Sequence, residues 1–219
     1  MKHILLNNQF IFIVWQIVTG SSVTKAFENY ELSKINLDGL IIDIGSGVDL
    51  DYIDFIPRSK KTTINNIEVK NGYEIDYEFD KIPEESSKYD TTLLLNVIEH
   101  VYNHKNILKE AYRVTKKGGN VLGFVPFLMW YHPDPSDFFR FSHECLENIF
   151  KDINIKEYEI KIVSRGPFTA ASHMFLCAFP KFLRIFIFLP FYFSDSLFIL
   201  LRPEYCKRFA LGYIFTLRK

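Results

Sequence analysis

LIIDIGSGVD, residues 40–49, is a run of apolar residues that is interrupted by Asp43 and then by Gly45, Ser46 and Gly47. Apolar residues followed by an acid and two alternating glycines predict a buried strand that enters a tight turn. Glycine suits such a turn because it adopts positive φ and has no Cβ to hold a ligand away from the backbone. In an open α/β sheet, ligands bind at the carboxyl ends of the strands. The pattern therefore predicts a binding turn after the first strand.

A second pattern follows in YDTTLLLNVIEHVYNHKNILKEAYRVTKKGGNVLGFVPF, residues 89–127. Its first part predicts a strand over Thr91–Leu95 that ends at Asn96. Apolar residues then recur at helical spacing over 97–114, and the KKGG segment at 116–119 supplies a basic last turn and a glycine stop. A further buried strand is predicted over 120–126. Strand, helix and strand together predict one crossover unit of a parallel sheet.

These two patterns resemble class I S-adenosylmethionine-dependent methyltransferases, in particular a large group of small-molecule enzymes. The shared pattern is a strand with D-hydrophobic-G-x-G, then L-N-V-hydrophobic-E-H, then R-V-hydrophobic-x-x-G-G, and the resemblance covers residues 40–150. It is carried by Asp43, Gly45, Gly47, Asn96, Glu99, His100, Arg113, Val114, Gly118 and Gly119. The resemblance implies an α/β, Rossmann-like, doubly wound and mostly parallel sheet with an antiparallel last strand, and S-adenosylmethionine as cofactor.

The organisation predicted from 219 residues is a single methyltransferase domain over 1–219, because no repeat or linker interrupts the chain. Residues 1–35 are expected to form an N-terminal helical addition, and residues 174–208 an apolar, basic insertion before the last strand. The remaining predicted elements are strands at 61–67, 73–79, 153–163 and 212–217, and a helix over 142–150 that is capped by Ser142.

The resemblance also implies residues for the cofactor. Gly45, Ser46 and Gly47 would bring backbone close to its amino-acid end, and Asp43 lies where family members anchor that end. The alternative for Asp43 is a structural acid that caps the turn. Asn96, at the end of the strand in the second pattern, is included in the same site.

The ribose and adenine positions depart from the family pattern. Relatives usually end the second strand with an acid that accepts both ribose hydroxyl protons, whereas Asn66 stands at that position here. Glu68, or a plain strand-end turn, is the alternative to Asn66. Asp80 falls near the adenine-contacting acid of the family, and its alternative is a solvated surface charge.

The segment YHPDPSDFFRF, residues 131–141, resembles a loop that some of these enzymes carry after the fifth strand, and those relatives often act in cell-surface glycan pathways. O-methylation needs a base near the acceptor hydroxyl, and histidine has a suitable unperturbed pKa. We expect His132 to be that base and Asp137 to orient it or to bind the acceptor. Tyr131 and Arg140 are expected to bind substrate, Arg140 through an anionic group such as a phosphate. The alternative is a rigid aromatic lid whose charges only pair with one another.

His100 is the third catalytic candidate, because the Glu-His pair of the family lies near the mouth of the active site. His100 and His104 lie four residues apart on one predicted helix face, with Glu99 beside them. That spacing could hold a metal. The order of the zinc-protease motif is missing and the sequence offers no evident third ligand, so we expect no metal.

The C-terminal part of the chain is basic and rich in phenylalanine. From Lys181 onward there are seven basic and two acidic residues, so this part carries +5 and the rest −5 in a chain of zero net charge. Such a segment indicates an anionic membrane surface more than nucleic acid. The uncharged stretch at 185–194 would span only about 15 Å as a helix against a bilayer core of about 30 Å, and Pro190 is expected to break a longer helix. The segment would therefore lie on a membrane, or form a homodimer interface.

The function implied by these features is methyl transfer to a small polar acceptor, with a sugar hydroxyl of a free or lipid-linked surface-glycan precursor as the expected acceptor. A quinone or lipid methyltransferase is the alternative among enzymes. The other alternative is a non-catalytic, methyltransferase-like protein that acts as a membrane-bound partner. Two departures from the family pattern favour it: Asn66, and Asp49 in place of the third glycine. We expect a cytoplasmic protein that is peripheral on the inner membrane face and binds no nucleic acid.

Overall fold

The computed structural model describes residues 8–45, 47, 50, 52–67 and 75–219, and it contains a six-stranded sheet between two helical layers. A short 3₁₀ turn spans Ile98–His100. In chain order, the helices and strands of the described residues are α1 (Asn8–Thr19), α2 (Val23–Leu32), β1 (Leu40–Asp43), β2 (Thr63–Asn66), β3 (Tyr89–Leu95), α3 (His104–Val114), β4 (Thr115–Pro126), α4 (His143–Asp152), β5 (Glu157–Ser164), α5 (Pro167–Leu176), α6 (Lys181–Leu201), α7 (Pro203–Cys206) and β6 (Ala210–Arg218).

The sheet has the strand order β2-β1-β3-β4-β6-β5. Strands β2, β1, β3 and β4 are parallel, and β6 runs antiparallel to both of its neighbours. Neighbouring residues of one strand face opposite layers: Ile42 packs with α3 and α4, whereas Ile41 packs with α1, α2, α5 and α6. Burial on both faces explains the apolar runs of β1 and of the C-terminal halves of β3 and β4. The predicted Rossmann-like sheet with an antiparallel last strand is confirmed.

The strand predicted over 73–79 is absent from its described part, 75–79. The Asp76 carboxylate accepts a hydrogen bond from the Glu78 backbone N–H at 2.9 Å, and the Asp76 carbonyl accepts one from Asp80 N–H at 2.8 Å. An aspartate that bonds the backbone two residues ahead favours a turn over an extended strand. Ile75 and Tyr77 of this segment pack on the core from a turn, whereas Phe79 is exposed.

Helix α3 begins seven residues after its predicted start at Val97. Asn96 adopts φ +58°, so the chain leaves β3 through a left-handed residue and then makes the 3₁₀ turn. Just before α3, the Glu78 carboxylate accepts hydrogen bonds from the backbone N–H groups of Tyr102 (2.6 Å) and Asn103 (2.5 Å). These contacts satisfy donors at the helix start, which fixes where α3 begins.

The predicted C-terminal elements are formed with small changes in their bounds. Ser142 accepts a hydrogen bond from Cys145 N–H at 3.2 Å and caps α4 as predicted. Strands β5 and β6 occupy the segments predicted at 153–163 and 212–217. The glycine stop predicted at 116–119 lies inside β4, because the helix already ends at Val114.

Helix α6 runs without interruption through Pro190, so the prediction that this proline would break it was wrong. An interior proline costs about 3 kcal/mol. Phe188 and Tyr192, on either side of it, have no exposed surface, and burial of each contributes about 1.5–3 kcal/mol. Of the helices that the structure describes, α6 alone is long and apolar enough to cross a membrane by length and composition, and 22% of its most apolar window is buried.

A buried polar contact joins α6 to α5. The Asp195 carboxylate accepts hydrogen bonds from the backbone N–H groups of Phe168 (3.1 Å) and Thr169 (2.7 Å) in the first turn of α5. Beside it, the Arg165 guanidinium lies 3.4 Å from the centroid of the Tyr192 ring. These contacts fix α6 against the domain, with its other side turned outward.

Candidate active site

The carboxyl ends of β1 and β3 open onto a cavity of about 1390 Å³. Pockets for one small ligand usually measure about 300–1,000 Å³, so this cavity has room for a cofactor and an acceptor together. Its wall has five parts: the turn after β1, the N-terminal half of α2, the turn at 75–78, the segment 95–101 at the end of β3 and the loop at 129–138. They surround the edge of the sheet at which an open α/β sheet binds its ligands.

The glycine turn after β1 has the geometry that its sequence predicts. Gly45 and Gly47 line the cavity with φ angles of +83° and +74°. A Cβ on Gly45 would lie 2.6 Å from Cγ1 of Val97, so a larger residue would collide with the cavity wall. The two glycines thus place the backbone of the turn in the cavity wall, and Val97 occupies the space beside Gly45. Ser46, predicted to bind the cofactor with them, lies outside the described residues.

Asp43 lies behind this turn and has no exposed surface. Its carboxylate accepts a hydrogen bond from the hydroxyl of Tyr52, and Tyr52 rather than Asp43 lines the cavity. This geometry matches the alternative of a structural acid that holds the turn. Its role in anchoring the cofactor stays a prediction.

Asn66 ends β2 and reaches the glycine turn. Its Nδ2 donates a hydrogen bond to the Gly47 carbonyl at 2.6 Å. The amide thus links the second strand to the turn, and a contact with the ribose hydroxyls stays a prediction. Glu68, the alternative, lies outside the described residues.

Asp80 is exposed and lies away from the cavity wall, so the structure does not support its predicted contact with adenine. Its carboxylate accepts a hydrogen bond from the backbone N–H of Asp76 at 3.1 Å. Asp76 itself lines the cavity with Ile75 and Tyr77. Several acids lie close together in this segment. Which of them faces the cavity depends on the conformation of the turn, and the spacing of the residues in the sequence does not reveal it.

Helix α2 contributes cavity residues that the sequence did not suggest. Asn96, a predicted cofactor residue that does line the cavity, donates from Nδ2 to Glu28 Oε1 at 3.0 Å. The Lys25 ammonium lies 3.5 Å from the same oxygen. Glu28 is buried although it lies on a helix with several charged residues, and nothing in the helical pattern distinguishes it from them.

His132 lines the cavity with a defined tautomer. Its Nδ1 lies 3.0 Å from the Trp130 carbonyl oxygen and 3.2 Å from Nη2 of Arg140. The two hydrogens of that Nη2 are already directed to Asp137 Oδ2 (2.7 Å) and to the Trp130 carbonyl (2.9 Å). Nδ1 therefore carries the imidazole hydrogen and donates it to the carbonyl. Nε2 is then the ring nitrogen that does not contact the Trp130 carbonyl, and the role of His132 as a base stays a prediction.

Asp137 and Arg140 pair with each other instead of facing the cavity. Two hydrogen bonds join the guanidinium to the carboxylate, at 2.5 and 2.7 Å, and they hold the pKa of Asp137 well below its usual range. Asp137 also accepts the His132 backbone N–H at 2.9 Å. Tyr131 is 74% exposed and is not part of the wall. The structure therefore does not support substrate binding by Arg140 and Tyr131, and the loop matches the alternative of a rigid lid.

Glu99 and His100 follow β3 at the far side of the cavity. Glu99 has no exposed surface, neither of its carboxylate oxygens has a hydrogen-bond partner among the described residues, and burial raises its pKa to about 8. His100 lines the cavity, with Nδ1 2.5 Å from the Ser136 carbonyl oxygen and Nε2 3.8 Å from Glu99 Oε1. His104 instead packs edge-on against phenylalanine rings.

Similarity to known proteins agrees with this geometry. Residues 46–123 match a family described as a methyltransferase domain. The match covers 78 of the 219 residues. No curated protein matches the sequence.

Two solved structures share the fold over most of the chain. A SAM-dependent methyltransferase from Archaeoglobus fulgidus is 14% identical, with 97% of this chain and all of that chain covered and a TM-score of 0.50. Phosphoethanolamine N-methyltransferase 2 from Haemonchus contortus, in complex with S-adenosyl-L-methionine, is also 14% identical, with 97% of this chain and 57% of that chain covered and a TM-score of 0.51. The matched segment is thus part of a methyltransferase domain, and the two structures share the fold of the chain.

Proposed function

We propose that this chain is an S-adenosylmethionine-dependent methyltransferase that methylates a small polar acceptor. The observation that carries this proposal is the cavity at the carboxyl ends of β1 and β3, into which the glycine turn opens its backbone. The volume of the cavity accommodates the cofactor and an acceptor side by side, which direct methyl transfer between two bound molecules requires.

The residues around the cavity fit the chemical parts of the cofactor. Gly45 and Gly47 leave room for the amino-acid end, and the buried carboxylate of Glu28 offers a negative partner for its ammonium group. Asn66, hydrogen-bonded to the turn, is close enough in the fold to serve the ribose. Tyr77 supplies an aromatic wall for adenine. The bound cofactor supplies the methyl group, and the chain supplies position and proton transfer.

The acceptor side of the cavity is lined by polar groups. His100 and His132 lie edge-on to each other with 5.0 Å between ring centroids, beside Asp134 and Ser136 of the loop. A hydroxyl held there would lose its proton at this histidine pair as its oxygen approaches the methyl carbon in line with the sulfonium. Polar walls favour a polar acceptor, and a sugar hydroxyl of a surface-glycan precursor is the acceptor we propose.

A quinone or a lipid is the second candidate acceptor, and the outer surface of the helical layer favours it. We define the α1–α6 surface as the exposed apolar residues of these two helices: Ile11, Trp15, Val18, Phe182, Leu183, Phe186, Phe193, Leu197, Leu200 and Leu201. The two helices contact each other through the Phe10 and Phe193 rings, whose centroids lie 5.7 Å apart. An apolar acceptor such as a quinone would reach the cavity from a membrane more readily than from water.

We also propose that the α1–α6 surface rests on an anionic membrane surface. Exposed basic residues lie at both ends of α6, Lys181 at its start and Arg202, Lys207 and Arg208 at or after its end. Basic residues that flank an apolar helix face are typical of attachment to anionic lipid. The contact of Asp195 with α5 keeps α6 on the domain, which supports attachment along the surface. This would place the enzyme on the inner face of the cytoplasmic membrane.

Calorimetry with S-adenosylmethionine and with S-adenosylhomocysteine tests the central claim. Binding of both at one site per chain is expected, and no measurable heat with either would overturn the proposal. Transfer of a radioactive methyl group to nucleoside diphosphate sugars, polyprenyl-phosphate sugars and reduced quinones then separates the acceptors. Labelling of the quinones alone would replace the sugar acceptor with the second candidate, and labelling of none would favour a non-catalytic relative.

A further inference from the structure

Three side chains that commonly bind metals converge at the acceptor side of the cavity. One ligand atom of each of Glu99, His100 and His132 lies within 4.8 Å of the other two. The first two residues belong to the 3₁₀ turn after β3, and the third comes from the loop after β4. The fold, rather than any sequence spacing, brings them together.

The Glu99 carboxylate is the unexplained member of this group. It has no exposed surface, and neither oxygen has a hydrogen-bond partner among the residues that the structure describes. Buried polar atoms in folded proteins are nearly always hydrogen-bonded, and an absent ion is one of the few explanations for an exception. A cation beside Glu99 would satisfy both oxygens.

Both imidazoles are arranged as metal ligands usually are. Nδ1 of His100 lies 2.5 Å from the Ser136 carbonyl oxygen, and Nδ1 of His132 lies 3.0 Å from the Trp130 carbonyl oxygen. A histidine that binds a metal typically donates its other ring N–H to a carbonyl or carboxylate, which fixes the ring and its tautomer. In both rings, Nε2 is then the nitrogen left to bind.

Backbone contacts hold the two parts of this group together. The carbonyl oxygen of Glu99 accepts hydrogen bonds from the N–H groups of Phe138 (2.9 Å) and Phe139 (3.2 Å) in the loop that carries His132. The Asp137 carboxylate lies 3.4 Å from Nδ1 of His132 and is itself fixed by Arg140. These contacts hold the loop, and with it His132, in a fixed position beside the 3₁₀ turn that carries Glu99 and His100.

We propose that Glu99, His100 and His132 bind one divalent transition-metal ion of the zinc class, with its remaining coordination positions open to the cavity. Two imidazoles and one carboxylate are the donor set of catalytic zinc and related sites that keep an open position. Ligand atoms at about 2.1 Å from a tetrahedral ion lie about 3.4 Å from one another. Because the three ligand atoms lie within 4.8 Å of one another, the side chains need to close by up to about 1.4 Å around the ion.

This inference rests on the proposed methyltransferase function for its chemical role. With both Nε2 atoms bound to the ion, the ion would replace the histidine pair as the means of activating the acceptor. The acceptor hydroxyl oxygen would bind at an open position, where the ion would lower its pKa, and its proton would pass to water. A lone pair of that oxygen then forms the new bond to the methyl carbon, while the methyl–sulfur bond breaks and its electron pair stays on sulfur. The inference also revises the expectation of no metal, because the third ligand, His132, comes from a distant loop.

Titration of the chelator-treated protein with Co²⁺, followed by visible absorption, and with Zn²⁺, followed by calorimetry, tests the site. One ion per chain is expected, with at least tenfold weaker binding in Glu99→Gln, His100→Ala and His132→Ala. His104→Gln is the matched control, because His104 lies four residues from His100 but packs on phenylalanines. It should bind the ion as the unchanged protein does.

Two results would overturn the site: no ion bound by the unchanged protein, or binding that the three substitutions leave within threefold while they remain folded by circular dichroism. If Glu99→Gln does not fold, ion binding by the two histidine variants alone tests the site. Calorimetry with S-adenosylmethionine on the same samples separates the two proposals. If the unchanged protein binds the cofactor but no ion, only the proposed metal site is wrong. If the unchanged protein does not bind the cofactor, the proposed methyltransferase function is wrong.

Discussion

The cavity and the α1–α6 surface differ in how their side chains are partnered. Around the cavity, polar groups are held by specific contacts, such as Asn66 on the Gly47 carbonyl and Asn96 on Glu28. On the α1–α6 surface, large apolar side chains such as Phe182 (71% exposed) and Phe186 (70% exposed) face outward. A surface of this kind usually marks a protein or membrane contact. The contrast indicates two binding tasks on one domain, and a substitution in either region should leave the other task intact.

A loss of cofactor binding is expected from Gly45→Val. The added side chain would meet Val97 in the cavity wall and would strain a residue with φ +83°, so cofactor binding should fall by at least about 100-fold. Gly118→Val is the matched control, because Gly118 has φ +79° but has open space around its Cβ position. Both variants carry the same backbone strain, and calorimetry with S-adenosylmethionine should show a loss only in the first. Full affinity in folded Gly45→Val would remove the turn from the site, and liposome binding should be equal in both.

The corresponding test of the α1–α6 surface replaces Phe182 and Phe186 with serine. Loss of two buried phenylalanines on a bilayer would weaken attachment by about 3–6 kcal/mol, so the protein should no longer sediment with anionic liposomes while cofactor affinity is unchanged. Phe79→Ser controls for loss of an exposed aromatic residue elsewhere, because Phe79 is 79% exposed outside this surface. Phe188 is unsuitable for this test, since it is fully buried.

A different outcome would assign the surface to a second copy of the chain. If the unchanged protein stays in the supernatant and elutes as a dimer in size-exclusion chromatography, and the Phe182 and Phe186 substitutions convert it to a monomer, the surface is a subunit interface. Raised salt should weaken membrane attachment only in part, because the apolar contribution does not depend on screening.

The same two regions differ in how far the sequence could predict them. Strands β1, β3 and β4 and the glycine turn after β1 were predicted from local rules: buried parallel strands carry apolar runs, and a tight turn needs glycine. The strand predicted over 73–79 was wrong in its described part, because the Asp76 contacts form a turn there. Helix α6 was mispredicted because a local rule, proline as a helix breaker, is outweighed by the burial of Phe188 and Tyr192. Asp76 and Glu28 were missed as cavity residues because only the folded chain shows which of several nearby charges faces inward.

A third prediction concerns His173 of α5, whose ring stacks on Trp130 of the cavity loop at 4.8 Å. Burial lowers the pKa of His173 to about 4. The unfolded chain therefore binds a proton below about pH 6.5 that the folded chain does not, so stability is lost as the pH falls from about 6.5 to 4. At pH 4.5 this loss is about 2–3 kcal/mol.

His173→Phe keeps an aromatic ring against Trp130 but cannot take up a proton. Urea unfolding at pH 7.5 and 4.5 should show that the fall in free energy of unfolding is about 2–3 kcal/mol smaller in the variant. Because other groups also titrate in this range, the comparison between the two proteins is the quantity that matters. An equal fall in the free energy of unfolding in both proteins would mean that His173 takes up no proton on unfolding.

The smallest effect is expected from Asn66→Asp, which tests whether the glycine turn needs its amide support. A carboxylate at this position would lose the hydrogen bond to the Gly47 carbonyl and would face that oxygen with a negative charge. Cofactor affinity should then fall by about 1 kcal/mol, or roughly fivefold. Asn65→Asp is the matched control, since the Asn65 amide contacts the Tyr89 hydroxyl at 3.4 Å instead of the turn. Tighter binding in Asn66→Asp would favour the direct ribose contact predicted from the sequence, because a carboxylate accepts hydroxyl protons more strongly than an amide does.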